Sequence, residues 1–159
     1  MSGERTVQLR VGRADEADAL WVLRTRCVRE LCSAAYPPEV IVPWSASPPP
    51  EHYRALLAGG GCVIAEDTDG VLLGYGVIDL AGNEIDALFV DPDCGGRGIG
   101  LTLMQAMEAL ADAARPLVLS ASLNAVPFYR RCGFEALREE SYPHPSGVSL
   151  ASVRMQRRR

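Results

Sequence analysis

Lysine is missing from this chain: all sixteen of its basic residues are arginine. The absence excludes Schiff-base chemistry and a lysine general base, and reads as a coding bias of the genome, not as a mechanism. No run of residues approaches the roughly 18 apolar positions of a membrane span. The five cysteines, Cys27, Cys32, Cys62, Cys94 and Cys132, form no CxxC pair, and their odd number argues against a complete disulfide framework. No metal site is read from these residues. A net charge of −4 provides no overall attraction to nucleic acid. The polar start, Met1 to Thr6, lacks the apolar stretch of a signal peptide, so the chain is expected in the cytoplasm.

What is present suits one folded domain of 159 residues. Apolar residues make up 48% and charged residues 23%, ordinary values for a globular core that needs no staple. Val7–Val11 alternates as a first strand. Ala14-Asp15-Glu16 opens a helix with acids in its first turn, where the helix dipole favours them. Ala17, Leu20, Leu23, Cys27 and Leu31 share one face of that helix. Prolines break the stretch from Tyr36 to Ala58, leaving short helical pieces over Glu39–Trp44 and Glu51–Ala58. Cys62–Glu66 and Val71–Ile78 read as a hairpin about the Asp67–Gly70 turn, followed by a third strand over Asn83–Val90. A helix to about Ala114, a strand over Pro116–Ser120 and a helix over Asn124–Cys132 come next, the last capped by Asn124 and stopped by Gly133. Strands over Phe134–Glu140 and Val148–Met155 close the chain. Arg157-Arg-Arg159 reads as a solvated tail. The order is mixed α/β (α+β), with a mostly antiparallel sheet and helices on both faces, not the alternation of a dinucleotide-binding fold.

The segment Phe89-Val-Asp-Pro-Asp-Cys-Gly-Gly-Arg-Gly-Ile-Gly100 runs from a strand through a glycine-rich turn into an amphipathic helix. Bare main-chain N–H groups and the helix dipole make such a turn a seat for phosphate. It is not a P-loop, because Leu101-Thr102 stands where Lys-Ser/Thr is required. It is not a GxGxxG fingerprint either, because the third glycine is missing and no acid ends a strand about 20 residues on.

The same turn resembles the acyl-CoA motif of the GNAT superfamily of N-acyltransferases, [QR]xxGx[GA]. A second block, Asn124-Ala-Val-Pro-Phe-Tyr-Arg-Arg-Cys-Gly-Phe134, resembles that family's Asn…Phe-Tyr-x-x-x-Gly-Phe segment. Strand order matches over nearly the whole chain, and only Tyr36–Ala58 is idiosyncratic. One departure is plain: the Gln or Arg that opens the family motif falls on Gly95. The resemblance implies acetyl-CoA as co-substrate, threaded between splayed parallel strands. Leu88, Phe89 and Val90 would meet the thioester arm, and Gly95, Gly96, Arg97, Gly98, Ile99, Gly100 and Leu101 the pyrophosphate. Asn124 would hydrogen-bond the cofactor arm.

By the same resemblance the amine attacks the thioester directly, with no acyl-enzyme, and Tyr129 is the general acid. A phenol of ordinary pKa near 10 can protonate a departing thiolate. The general base is Glu84 or Asp86, two residues apart on one side of the strand. Acceptor choice is expected from Tyr36, Trp44, His52, Tyr53, Tyr142 and His144; His144 titrates in a useful range. Aromatics with acids suit a small amine, and the same aromatics suit core anchors. The implied reaction is N-acetylation of a primary amine on a small molecule. Two alternatives stay open: a non-catalytic acyl-CoA-binding or regulatory module, and a protein or peptide acetyltransferase. Dimerisation is common in such folds, and nothing in the sequence decides it.

Overall fold

The computed structural model describes residues 6–158, the side chain of Tyr142 excepted. Met1–Arg5 of the polar start and Arg159 lie outside these residues. Seven strands form one sheet: β1 (Gln8–Val11), β2 (Cys62–Glu66), β3 (Leu72–Asp79), β4 (Glu84–Val90), β5 (Leu117–Ser122), β6 (Glu135–Pro143) and β7 (Ser149–Arg157). Their spatial order is β1-β2-β3-β4-β5-β7-β6, and every neighbouring pair is antiparallel except β4 and β5. The mixed, mostly antiparallel architecture expected from the sequence is the one observed.

Five helices cover the sheet: α1 (Ala17–Glu30), α2 (Pro38–Ala46), α3 (His52–Ala58), α4 (Ile99–Leu110) and α5 (Val126–Arg131). Ile99, Leu103, Met104 and Met107 of α4 are buried with Leu73, Ile78, Ile85 and Leu119 on one face of the sheet. Leu20, Leu23 and Cys27 of α1, with Tyr53 and Leu57 of α3, pack on Ile64, Tyr75 and Val77 on the other. Burying each such Leu, Ile or Met contributes about 1.5–3 kcal/mol, which is why two short amphipathic helices suffice to hold each face.

Several boundaries differ from the sequence reading. Helix α4 stops at Leu110, not near Ala114, because Ala111 turns extended and Asp112 is drawn into a turn held by Asn83. Asn124 caps no helix: Leu123–Ala125 form a 3-10 turn ahead of α5, and the α5 cap residue Ala125 has no side-chain bond to offer. Leu31 ends α1 largely exposed. Arg157 belongs to β7 and pairs with Glu108 of α4, so it is no solvated tail residue.

The parallel pair is short. Strand β4 meets β5 only at Glu84↔Val118 and Ile85↔Leu119, and then the strands diverge. Their junction is set by Asn83, which is buried and holds a left-handed φ of 51°. Its amide nitrogen faces the carbonyls of Asp112, Arg115 and Pro116 at 3.0–3.2 Å, while its Oδ1 accepts the Asp112 N–H at 2.8 Å. Asn83→Ala loses these bonds and the tolerance for positive φ, and is expected to cost about 2–4 kcal/mol. Asn83→Gly keeps the backbone conformation alone and should fall between; urea unfolding midpoints of the three proteins check the order.

Candidate functional site

The divergence of β4 and β5 leaves a cleft that divides into two cavities. One, of about 640 Å3, is lined by Leu88, Phe89 and Val90, by the turn from Cys94 to Leu101, and by Asn124 and Phe128. The other, of about 300 Å3, lies between the sheet, the α1–α3 segment and the β6–β7 hairpin. Leu88, Phe89, Cys32, Ser122, Ala125 and Tyr129 line both, so the cavities meet along one shared wall.

The larger cavity is built at the N-terminus of α4. Gly96 and Gly98 have φ of 78° and 75°, a conformation in which a side chain is strained. Gly95 is different: its φ is −62°, and a Cβ there would touch only the Pro92 carbonyl at 3.9 Å. The backbone therefore accepts a side chain at the position where the family motif carries Gln or Arg. Arg97 and Arg131 bring positive charge to the same cavity. Asn124 lines it too, and its buried Oδ1 has no hydrogen-bond partner among the described residues. An orphaned buried acceptor beside an open groove is expensive unless a ligand donor meets it. The donor set, the glycine cradle and the unmatched amide all suit the phosphates and amide-bearing arm of coenzyme A.

Tyr129 sits on the shared wall, buried and braced edge-on by Phe128 and Phe134 at 5.3 and 5.9 Å. Among the described residues no protein group hydrogen-bonds its hydroxyl. Burial pushes its pKa well above the usual tyrosine range, with a smaller push from Cys132, so it stays protonated at neutral pH. Cys32, missed in the sequence reading, lies on the same wall. Burial raises its thiol to about 11, although hydrogen bonds from Asn124 and Ser122 pull the other way. A thiol so held is a poor nucleophile at neutral pH.

The two candidate bases part company. The β3–β4 pairing runs Val77↔Ala87 and then Ile78↔Ile85, which leaves Asp86 as the extra residue of a β-bulge. Bulges re-aim side chains; here Asp86 and the adjacent Ala87 both line the smaller cavity, against the strict alternation expected of the strand. The Asp86 carboxylate is open to that cavity, yet the protein around it raises its pKa by desolvation, opposed by His52 and reinforced by Glu84 and Asp79. Glu84 lines neither cavity. Arg154 holds it at 2.6 Å and also reaches Ser120 Oγ at 3.1 Å.

Tyr36, Trp44, Tyr53 and His144 all reach the smaller cavity. Tyr36 is also a structural pin, donating to the Ala151 carbonyl at 2.6 Å and accepting the Leu123 N–H at 3.0 Å. Trp44 packs edge-on against it at 5.2 Å. The Tyr53 hydroxyl donates to that of Tyr75 at 2.9 Å. His52 lines neither cavity, and its charge opposes the upward shift at Asp86. Burial, then the charge of Arg24, lowers the His144 pKa. Its Nδ1 accepts the Ser146 N–H at 3.1 Å, which leaves the proton of the neutral ring on Nε2. The side chain of Tyr142 lies outside the described residues. Sequence reasoning also missed Arg24 and Ser152 of the smaller cavity; an arginine among the apolar positions of α1 was the available signal.

Residues 33–155 match the acetyltransferase (GNAT) domain model. The chain belongs to the GNAT acetyltransferase family. It is an acyltransferase, and the resemblance noted in its two motifs is borne out. Among curated proteins it is similar to the peptidyl-lysine N-acetyltransferase YjaB. With the Salmonella typhimurium protein it shares 40% identity over 60 residues, 38% of this chain and 41% of that one. With the Escherichia coli protein it shares 26% over 132 residues, 81% of this chain and 82% of that one. A GCN5-related N-acetyltransferase from Rhodopseudomonas palustris superposes with a TM-score of 0.81 at 26% identity, over 100% of this chain and 98% of that one. The PaiA N-acetyltransferase from Thermoplasma acidophilum, solved in complex with coenzyme A, has a TM-score of 0.69 at 17% identity, over 97% of this chain and 99% of that one.

The environment of Asp86 has a consequence for stability. An acid whose pKa is raised by folding holds its proton more tightly when folded. Stability therefore falls as pH rises from the unfolded value of about 3.9 through the higher folded one. Asp86→Asn removes the ionisation that its surroundings disfavour. It is expected to melt above the parent at pH 7, with the gap closing as the pH is lowered toward the ordinary aspartate range; thermal melts across that window test it.

Proposed function

We propose that this enzyme transfers the acetyl group of acetyl-CoA to the primary amine of a small molecule, in a ternary complex. The observation that carries the reading is the wall common to the two cavities. A coenzyme arm running from the glycine turn along Leu88–Val90 ends where the smaller cavity begins. Acetyl-CoA, when bound, supplies the acetyl thioester at that junction.

Asp86 takes a proton from the incoming ammonium, directly or through a water, so that the nitrogen lone pair is free. Its raised pKa suits it to that task better than an ordinary aspartate. The nitrogen forms a bond to the carbonyl carbon, the carbon–sulfur bond breaks, and the Tyr129 hydroxyl gives its proton to the departing sulfur. As the carbon–nitrogen bond forms the nitrogen gives up its second proton, which restores Tyr129 through solvent, and the proton first taken by Asp86 passes to solvent; the products are the acetylated amine and a free thiol. Cys32 stands at the junction but remains a thiol, which supports direct attack over an acyl-enzyme. The small volume of the acceptor cavity supports a small substrate, being near the lower end of the roughly 300–1,000 Å3 usual for ligand pockets. A second reading, transfer to a lysine side chain of a peptide, is favoured by the names of the YjaB relatives.

Release of free thiol from acetyl-CoA across a panel of small amines and lysine peptides tests the proposal. Turnover of peptides alone would transfer the assignment to the second reading; no turnover with either would end it. Tyr129→Phe keeps the ring packing and is expected to lower kcat on the order of 100-fold with little change in the KM for acetyl-CoA. Gly95→Arg adds a cation where the backbone tolerates one. It should tighten CoA binding several-fold, as read by calorimetry, at little cost in stability.

A further inference from the structure

The smaller cavity holds hydroxyl groups for which the transfer chemistry has no task. Tyr53 of α3 and Tyr75 of β3 both line it, 3% and 0% exposed, with their hydroxyls 2.9 Å apart. Trp21 braces the Tyr53 ring edge-on at 5.1 Å, and Phe89 packs on the Tyr75 ring at 5.7 Å, so the pair is held in place. Two phenols have two O–H protons, and their mutual bond uses one. The other proton meets no acceptor among the described residues. Burial pushes the Tyr53 pKa up to about 12 and carries that of Tyr75 well above the usual tyrosine range, so both hydroxyls keep their protons at neutral pH.

A second observation is independent of the pair. Ser152 of β7 also lines this cavity; it is 5% exposed, and its buried Oγ has no hydrogen-bond partner among the described residues. A hydroxyl in that position is costly unless a ligand engages it. Asp86 completes the set: its carboxylate lines the same cavity, its charge adds to the push on the Tyr53 pKa, and no hydrogen bond or ion pair reaches it among the described residues. Arg24 lines the cavity too, but its terminal nitrogens already donate to Thr25, Trp44, Ser45 and Ser47. The cavity therefore offers a ligand one carboxylate, from β4, and neutral hydroxyls, from α3, β3 and β7. A carboxylate on the ligand is repelled by Asp86 and finds the Arg24 donors engaged. A plain alkylamine satisfies Asp86 and leaves the hydroxyls unpaired. A hydroxyl on the ligand both gives and takes a hydrogen bond, so it matches Ser152 and the phenol pair in either orientation.

We propose that the acceptor is an amino alcohol, a small primary amine bearing at least one hydroxyl, with Asp86 receiving the ammonium and with Ser152 and the Tyr53–Tyr75 pair reading the hydroxyl. The inference rests on the small-amine reading above and supplies its substrate class. Discrimination comes from loss as much as from gain: an acceptor without the hydroxyl shuts these groups away unpaired, and a polar site rejects such an analogue strongly. Tyr53, Tyr75 and Ser152 determine specificity, whereas Asp86 and Tyr129 move protons. A lysine side chain within a peptide lacks the hydroxyl and does not meet the requirement.

The test uses matched triplets: amino alcohols, the same amines with hydrogen in place of the hydroxyl, and the amino acids in which a carboxylate replaces the hydroxymethyl group. Each is measured by thiol release and, separately, by calorimetric titration onto the CoA-loaded protein. The amino alcohols are expected to bind and turn over about tenfold or more better than either partner. Ser152→Ala should shrink that ratio. So should the double variant Tyr53→Phe, Tyr75→Phe, which removes the pair together and strands neither hydroxyl. A purely structural role for these groups would lower the rates on all three acceptors alike and leave the ratio where it was. Unchanged CoA binding shows which variants are folded, and Ser152→Ala keeps the test decisive should the double variant fail to fold. Equal handling of the three acceptor types by the parent protein, a preference for the amino acids, or an unchanged ratio in folded variants would overturn the inference while leaving amine acetylation standing. Hydroxyl-dependent binding without thiol release would do the reverse. Turnover of lysine peptides alone, or neither binding nor release with any acceptor, would remove both.

Discussion

Both cavities of this protein depend on β4 and β5 parting after two residue pairs. A parallel pair normally continues its hydrogen bonds along the sheet, and any ligand would have to sit outside it. Here the pairing ends at Ile85, and the chain beyond it is free to line a cleft that reaches through the sheet. The Asn83 side chain holds the closed end of this wedge by binding the turn that leads into β5. At the open end, Cys27 Sγ donates to the Val90 carbonyl at 3.2 Å and Arg26 pairs with Asp91 at 2.9 Å, fastening β4 to α1. The sheet is therefore pinned at one end and propped at the other, and both cavities occupy the space between.

The bulge at Asp86 is the second consequence of that geometry. It falls at the first residue past the last β4–β5 pair, where the strand changes neighbours and an extra residue relieves the bend. A carboxylate that would otherwise follow strand alternation lines the smaller cavity. The neighbouring acid, Glu84, remains in the paired part of the strand, within reach of Arg154 across β5. Two carboxylates two residues apart thus have different surroundings: one paired with a guanidinium, the other open to the smaller cavity. The lining of the smaller cavity is likewise drawn from distant parts of the chain, with Arg24, Ser152 and His144 joined by Tyr53 and Tyr75.

Much of this was legible in the amino-acid order. The glycine turn works through local backbone conformation, so Gly96, Gly98 and the start of α4 were recognisable from a dozen residues. The Phe-Tyr segment around Tyr129 was recognisable for the same reason, and the strand sequence gave the sheet its members. Boundaries were less secure where a remote side chain intervened: Asn83 ends the α4 region early, and Arg157 is recruited by Glu108. Asn124 looked like a cap because it preceded a helical run, whereas contact with Cys32 turns its amide into the cavity wall.

Local chemistry in the sequence therefore determined the family and the glycine turn at the start of α4, because each depends on neighbours a few positions away. Only the tertiary structure decided which carboxylate lines the smaller cavity, that Cys32 stands on the wall the two cavities share, and that a buried arginine lines the smaller one. Those outcomes depend on a register shift between β3 and β4 and on residues as far apart as Arg24 and Ser152 lining one cavity, and no local pattern encodes either.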